Sequence, residues 1–190
     1  MKIDAVIFDL DGTLIDSMWL WAKIDRDFLN RRGFDVPPDY MEAVCVLSYQ
    51  AAAEYTIRRF GLRESADAVV REWFDMAVYE YGRRVTLKPY VREYLTLLKG
   101  KGIKLGVATG STGVLYRPVL ENNHIRPFFD VVCSVDEVER GKNHPDLFLY
   151  AARKLMAPPS RCLVFEDALQ AVRGAKSAGM TVYGVYDEAS

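Results

Sequence analysis

Ala5-Val6-Ile7-Phe8-Asp9-Leu10-Asp11-Gly12-Thr13 decides how this chain of 190 residues is read. Four apolar residues make a short buried strand, and two aspartates two positions apart leave it at a Gly turn. Taken alone, the stretch fits two readings equally well. It is a strand followed by an ordinary Asp-Gly turn, because Gly accepts a positive φ and Asp tolerates turn geometry. Or it is a nucleophile, a proton donor and a metal site carried on one strand end.

Composition narrows the classes. Half of the residues are hydrophobic, so one medium domain with a true core can form, with room for a smaller insertion. With 25 Lys and Arg against 26 Asp and Glu, the net charge is -1, and the signs are interspersed. No polyanion-binding signature results, and nucleic acid is not an expected partner. The three cysteines, Cys45, Cys133 and Cys162, are odd in number and have no metal-ligand spacing, so we read them as buried, reduced thiols. The first apolar run stops at Asp9, which leaves no signal-peptide core, and nothing approaches the ~20 apolar residues of a membrane span. The chain reads as a soluble cytoplasmic protein.

Two textures alternate along the chain. Residues 17–81 lack a convincing strand and read as helices broken at Gly33 to Pro38 and at Gly61; in 64–81, Ala66, Val69, Val70, Trp73, Phe74, Ala77, Val78 and Tyr81 recur at helical spacing. The remainder alternates short strands (Ile103 to Ala108, Val131 to Ser134, Cys162 to Phe165, Thr181 to Val185) with helices (Val91 to Leu98, Thr112 to Glu121, Pro145 to Met156, Leu169 to Ala178). That alternation predicts an α/β fold: a doubly wound parallel sheet covered on both faces, interrupted by an all-helical insertion. Ligands of such sheets bind at the carboxyl ends of the strands.

Four strand ends carry chemistry. The first gives Asp9 and Asp11. The second gives Thr109-Gly110-Ser111, where a hydroxyl and free amides at a helix start form either an anion cradle or an ordinary helix cap. The third leads to Gly141-Lys142-Asn143-His144-Pro145-Asp146, and Lys142 by itself reads as a surface charge. The fourth gives Glu166-Asp167, an acidic helix start or a second carboxylate pair. Together they bring two acidic pairs, a hydroxyl cradle and a lysine to one sheet edge. Clustered carboxylates demand a cation, and oxygen donors suit Mg²⁺. Such a site matches phosphoryl transfer, which depends on positioning and charge neutralisation, with a carboxylate available as nucleophile.

These residues resemble the haloacid dehalogenase superfamily, in the phosphatase and beta-phosphoglucomutase-like branch with a helical cap. The match rests on Asp9 to Thr13, Val107 to Ser111, Gly141-Lys142 with Pro145-Asp146, Glu166-Asp167 running to Ala178-Gly179-Met180, and the re-entry Leu87 to Val91. The resemblance implies a core domain of residues 1–16 and 85–190 and a cap domain of residues 17–84. It implies Asp9 as nucleophile and Mg²⁺ ligand, and Asp11 as general acid and base whose backbone carbonyl also binds metal. Thr109 and the Gly110 amide hold phosphoryl oxygens, Lys142 neutralises charge on the phosphoryl group and Asp9, Asp167 completes the metal sphere, and Glu166 stands behind it. Gly110, Asn143, Ala168 and Ala171 depart from the usual pattern, which bears on phosphate geometry rather than on the reaction. The chain also ends at Ser190, just past the fifth strand, where such proteins usually continue.

The resemblance further implies a cap that closes over the site about hinges at Leu14 to Ser17 and Arg84 to Pro89. Trp19, Trp21, Arg58 and Arg59 in that insertion read first as packing and surface groups and second as substrate contacts; His124 and His144 have no ligand spacing. The expected activity is Mg²⁺-dependent hydrolysis of a small phosphorylated metabolite through an aspartyl phosphate. A sugar phosphomutase and a non-catalytic binding protein on the same fold are the alternatives, and Asp11 argues against a dehalogenase.

Overall fold

The computed structural model describes residues 2–44 and 47–188. Its sheet contains β1 (Ala5–Phe8), β4 (Lys104–Thr109), β5 (Val131–Ser134), β6 (Cys162–Glu166) and β7 (Thr181–Gly184), all parallel, in the order β5-β4-β1-β6-β7. The apolar run that opens the chain is therefore the central strand, and all four of its residues are buried. One face packs Ala5, Ile7 and Val164 against α7 (Asp146–Lys154) and α8 (Leu169–Ser177) through Leu147, Phe148, Ala151 and Ala175. On the opposite face, Phe8 meets Tyr94 of α5 (Val91–Gly100) edge-on at 6.3 Å and Phe129 at 6.4 Å. Buried Leu115, Val119 and Leu120 belong to α6 (Gly113–Asn122). This is the doubly wound α/β sheet expected from the alternation of strands and helices.

Two features escaped the sequence reading. A two-residue antiparallel ribbon joins β2 (Ile15–Asp16) to β3 (Thr86–Leu87), too short to show any periodicity. In the insertion, the stretch between Pro38 and Gly61 holds two helices, α2 (Tyr40–Val44) and α3 (Tyr49–Phe60), because Ser48 is extended and its hydroxyl accepts from the Ala51 amide as a new helix cap. Cys133 and Cys162 are buried free thiols, whereas Cys45 lies outside the described residues. Among the described residues, no helix is long and apolar enough to cross a membrane.

Packing divides the chain into two units, residues 1–18 with 81–190 and residues 19–80. The second unit is wholly helical, with α1 (Leu20–Asn30), α2, α3 and all but the last residue of α4 (Ala66–Tyr81). Its core includes Phe28 and Trp73, edge-on at 5.5 Å, and Arg32 covers the Phe28 ring while pairing with Glu72 at 2.5 Å. Inside this core stands a carboxyl group. Asp25 is 9% exposed; the Tyr40 hydroxyl lies 3.5 Å from it and 2.8 Å from the Thr56 hydroxyl, which donates to the Ala52 carbonyl. Burial pushes the Asp25 carboxyl up from 3.8 to about 6 despite the Tyr40 contact.

Because its folded pKa lies above the unfolded one, Asp25 favours the fold most when protonated. That advantage is complete below about pH 4 and is lost as pH rises through about 6. The gap corresponds to about 3 kcal/mol at neutral pH. Asp25→Asn is therefore expected to raise the melting temperature at pH 7.5 and to give no gain at pH 4, measured by thermal melts of the full chain at both values. Equal shifts at the two pH values would contradict this.

Candidate active site

Sheet register assembles the site. Phe8 pairs with Phe165, and the Asp9 amide donates to the Phe165 carbonyl at 2.9 Å, so the residues leaving β1 and β6 emerge side by side. Asp9 thus stands beside Glu166 and Asp167, and carboxylate oxygens of all three lie within 4.8 Å of one another. After β1 the chain turns over the Leu10 carbonyl, which accepts from the amides of Leu14 and Ile15 at 2.9 and 3.0 Å. Gly12 makes this turn at φ 77°, and a Cβ there would sit 2.5 Å from an Asp167 oxygen. Only glycine therefore lets the turn close on Asp167, just past the end of β6.

Lys142 enters from the loop before α7. Its ammonium donates to Asp9 Oδ1 at 2.5 Å and contacts Glu166 Oε2 at 2.5 Å, with the side chains of Asp9 and Glu166 only 7% and 1% exposed. Burial opposes the lysine's charge, but the two carboxylates outweigh it and hold its pKa above the ordinary value. At Asp9, burial is the largest influence and raises the pKa; Lys142 pulls it down, and Glu166 and Asp11 push it up, leaving it well raised. One lysine does not neutralise this group of acids. The carboxylate oxygens of Asp9, Glu166 and Asp167 are hard donors at a spacing that fits a small divalent cation such as Mg²⁺.

The cradle lies on β4, next to β1. Thr109 is fully buried, and its hydroxyl accepts from the Ser111 amide at 2.9 Å. Gly110 is exposed, and a Cβ there would come 4.0 Å from Lys142 Cδ. The Ser134 hydroxyl at the end of β5 donates to the Ser111 carbonyl at 3.0 Å, which fixes the loop from behind. All the core residues singled out in the sequence, Asp9, Asp11, Thr109, Gly110, Lys142, Glu166 and Asp167, therefore share one sheet edge.

Asp11 has a setting that the sequence did not reveal. Its Oδ1 accepts from the hydroxyls of Ser17 at 2.7 Å and Tyr81 at 2.5 Å, and its Oδ2 accepts from Ser111 at 2.7 Å. Burial, followed by the Asp11 charge, raises the Tyr81 phenol far above its ordinary pKa, so the phenol stays a neutral donor. Tyr81 looked like the last apolar member of a helical stripe, and nothing in its spacing marks the hydroxyl as polar business. Within the helical unit, Trp21 packs with Tyr49 at 5.2 Å and Phe74 at 6.2 Å, and Arg59 pairs with Asp39 at 2.7 Å.

A profile of haloacid dehalogenase-like hydrolases matches residues 3–179. The chain belongs to this family. It is 31% identical over 189 residues to a phosphorylated carbohydrates phosphatase of Thermotoga maritima, covering 96% of this chain and 85% of that protein. It is 30% identical over 188 residues to hexitol phosphatase B of Escherichia coli K12, covering 94% and 82%. Among solved structures, a Thermotoga maritima protein assigned as a beta-phosphoglucomutase superposes with a TM-score of 0.88 at 28% identity, covering 97% of this chain and 85% of that one.

One position outside the motifs sets where Lys142 can lie. A Cβ at Gly174 of α8 would fall 2.0 Å from the Lys142 carbonyl oxygen and 2.8 Å from that of His144. Both obstacles are backbone, so the loop carrying this hydrolase's lysine must shift if Gly174 gains a side chain. Gly174→Ala is expected to destabilise by about 1–3 kcal/mol, as overpacking does, and to displace Lys142. Gly100→Ala, where a Cβ meets nothing within 4 Å, is expected to change the melting temperature little. Thermal melts of both variants check the contrast, and equal effects would contradict the close approach.

Proposed function

We propose that this chain is a Mg²⁺-dependent phosphatase that hydrolyses a small phosphorylated metabolite through a phosphoryl-Asp9 intermediate. The observation that carries this reading is Lys142 bridging Asp9 and Glu166 at 2.5 Å each, with Asp167 in the same oxygen cluster and the Thr109 to Ser111 cradle on the neighbouring strand. The named phosphatases among the relatives agree with it.

The steps follow from the chain's own groups. An Asp9 oxygen attacks phosphorus in line as the bond to the leaving oxygen breaks, and Asp11 gives that oxygen a proton. Asp11 then takes a proton from water as the water oxygen attacks the phosphorus of phosphoryl-Asp9, releasing inorganic phosphate and restoring Asp9. Lys142 offsets charge on Asp9 and the phosphoryl oxygens, while Thr109 and the Gly110 amide hold those oxygens. Asp9, the Asp11 backbone carbonyl and Asp167 would hold Mg²⁺, with Glu166 behind them, and the bound ion would supply further neutralisation of the transferring group. In this reading the core, residues 1–16 and 85–190, performs the chemistry, and the helical cap, residues 17–84, selects the leaving group.

The likeness to the beta-phosphoglucomutase-type structure favours a second reading, in which phosphoryl-Asp9 returns its group to a sugar hydroxyl. Purified protein with Mg²⁺ is expected to release phosphate from p-nitrophenyl phosphate and hexose phosphates, with EDTA abolishing and Mg²⁺ restoring turnover. Asp9→Asn should lower kcat by a factor on the order of a thousand or more, and Lys142→Met by roughly 10²–10³-fold. Turnover that survives EDTA or Asp9→Asn would overturn the proposal. Isomerisation of glucose 1-phosphate at a rate exceeding phosphate release would select the mutase.

A further inference from the structure

Asp11 is held by three hydroxyls, one six residues on and two from 70 and 100 residues away, and they divide unequally between its oxygens. Oδ1 takes two, from Ser17 and Tyr81; Oδ2 takes one, from Ser111. Ser17 and Tyr81 are each 2% exposed, so water does not compete freely for them. They also flank the two crossings of the chain, since residues 19–80 form the helical unit between them. Ser111 differs in kind. It belongs to the cradle loop, directly after Thr109 and Gly110, and its hydroxyl can turn toward a phosphoryl oxygen.

We propose that Tyr81, together with Ser17, is a positioning residue that anchors Asp11 Oδ1, leaving Oδ2 as the oxygen that exchanges a proton with the leaving group and with water. This rests on the reading of Asp11 as general acid and base. A carboxylate on a single χ1–χ2 pair can swing, and a proton transfer works only when the carrying oxygen is within hydrogen-bond reach of its target. Two buried donors on one oxygen remove that freedom before substrate arrives. The Tyr81 ring suits the task, because only two torsions place its hydroxyl and a helix end fixes its backbone. Ser111 holds Oδ2 until a phosphoryl group offers the serine another acceptor, which releases Oδ2 at the moment it is needed. The proton on Oδ2 passes to the departing ester oxygen, and a water proton replaces it in the second half.

The test exploits leaving-group basicity. An alkyl leaving group such as that of a hexose 6-phosphate needs protonation, whereas p-nitrophenolate scarcely does. kcat/KM, which reports only the steps through the first phosphoryl transfer, is measured on both substrates. Tyr81→Phe keeps the ring and removes the donor. It is expected to lower kcat/KM for the hexose phosphate roughly tenfold or more and that for p-nitrophenyl phosphate less than about threefold, within the range of general acid catalysis. The ratio of the two values does not depend on the fraction of protein folded. In an Asp11→Asn background, adding Tyr81→Phe should change neither value. Should Tyr81→Phe not fold, Ser17→Ala removes the other donor to the same oxygen and is expected to move the ratio in the same direction. Equal losses on both substrates, no loss on either, or a loss that persists with Asp11→Asn would overturn the assignment. A wild-type protein that turns over both substrates while Asp11→Asn keeps the wild-type ratio would instead refute the general-acid reading beneath it.

Discussion

Everything at this sheet edge depends on the ammonium of Lys142 sitting between two buried carboxylates. Asp9 and Glu166 leave adjacent parallel strands in register, so their charges are forced together by the same pairing that forms the sheet centre. Without a cation, neighbouring carboxylates in a poorly solvated place repel and one of them stays protonated. Lys142 meets part of that demand at 2.5 Å to each acid. Its seat requires α8 to press against the lysine loop, which the absent side chain of Gly174 permits, and the seat of Asp167 requires the absent side chain of Gly12. Two glycines outside the list of reacting groups thus set the geometry of those groups.

What could be read in the sequence follows from the length scale of each signal. The strand Ala5–Phe8 and the later strands were legible because buried parallel strands are short apolar runs punctuated by helices, and register then carries their polar ends to one edge without further information. Lys142 could be suspected only from company, since a lone lysine carries no signal. The close approach at Gly174 and the hydroxyl of Tyr81 were invisible, for they arise from contacts across some 30 and 70 residues, and Tyr81 satisfies the apolar helical stripe equally well. The cap-like helical unit was legible as helices, but its break at Ser48 was not, because a serine in an otherwise helical stretch gives no sign of turning extended.

The two units also divide the physical burdens. The sheet unit concentrates charge where it can act on a phosphoryl group. The helical unit carries its own buried carboxyl, Asp25, beneath Tyr40, with no base beside it in that hydrogen-bonded group. Burial raises its pKa, so the ionised form is the one this packing disfavours. Asp11 is where the two crossings of the chain and the cradle loop come together, through Ser17, Tyr81 and Ser111. The proton carrier of the proposed reaction is therefore tied to both crossings and to the cradle loop.

In the proposed reaction Asp9 receives the phosphoryl group. Acid quenching during turnover followed by borohydride reduction converts an aspartyl phosphate to homoserine, which peptide mass spectrometry locates. Homoserine at position 9 alone, formed only when a turning-over phosphate ester is present, is the predicted result. Steady phosphate release with no reduced residue at position 9, or with the label at Asp11, Glu166 or Asp167 instead, would contradict it.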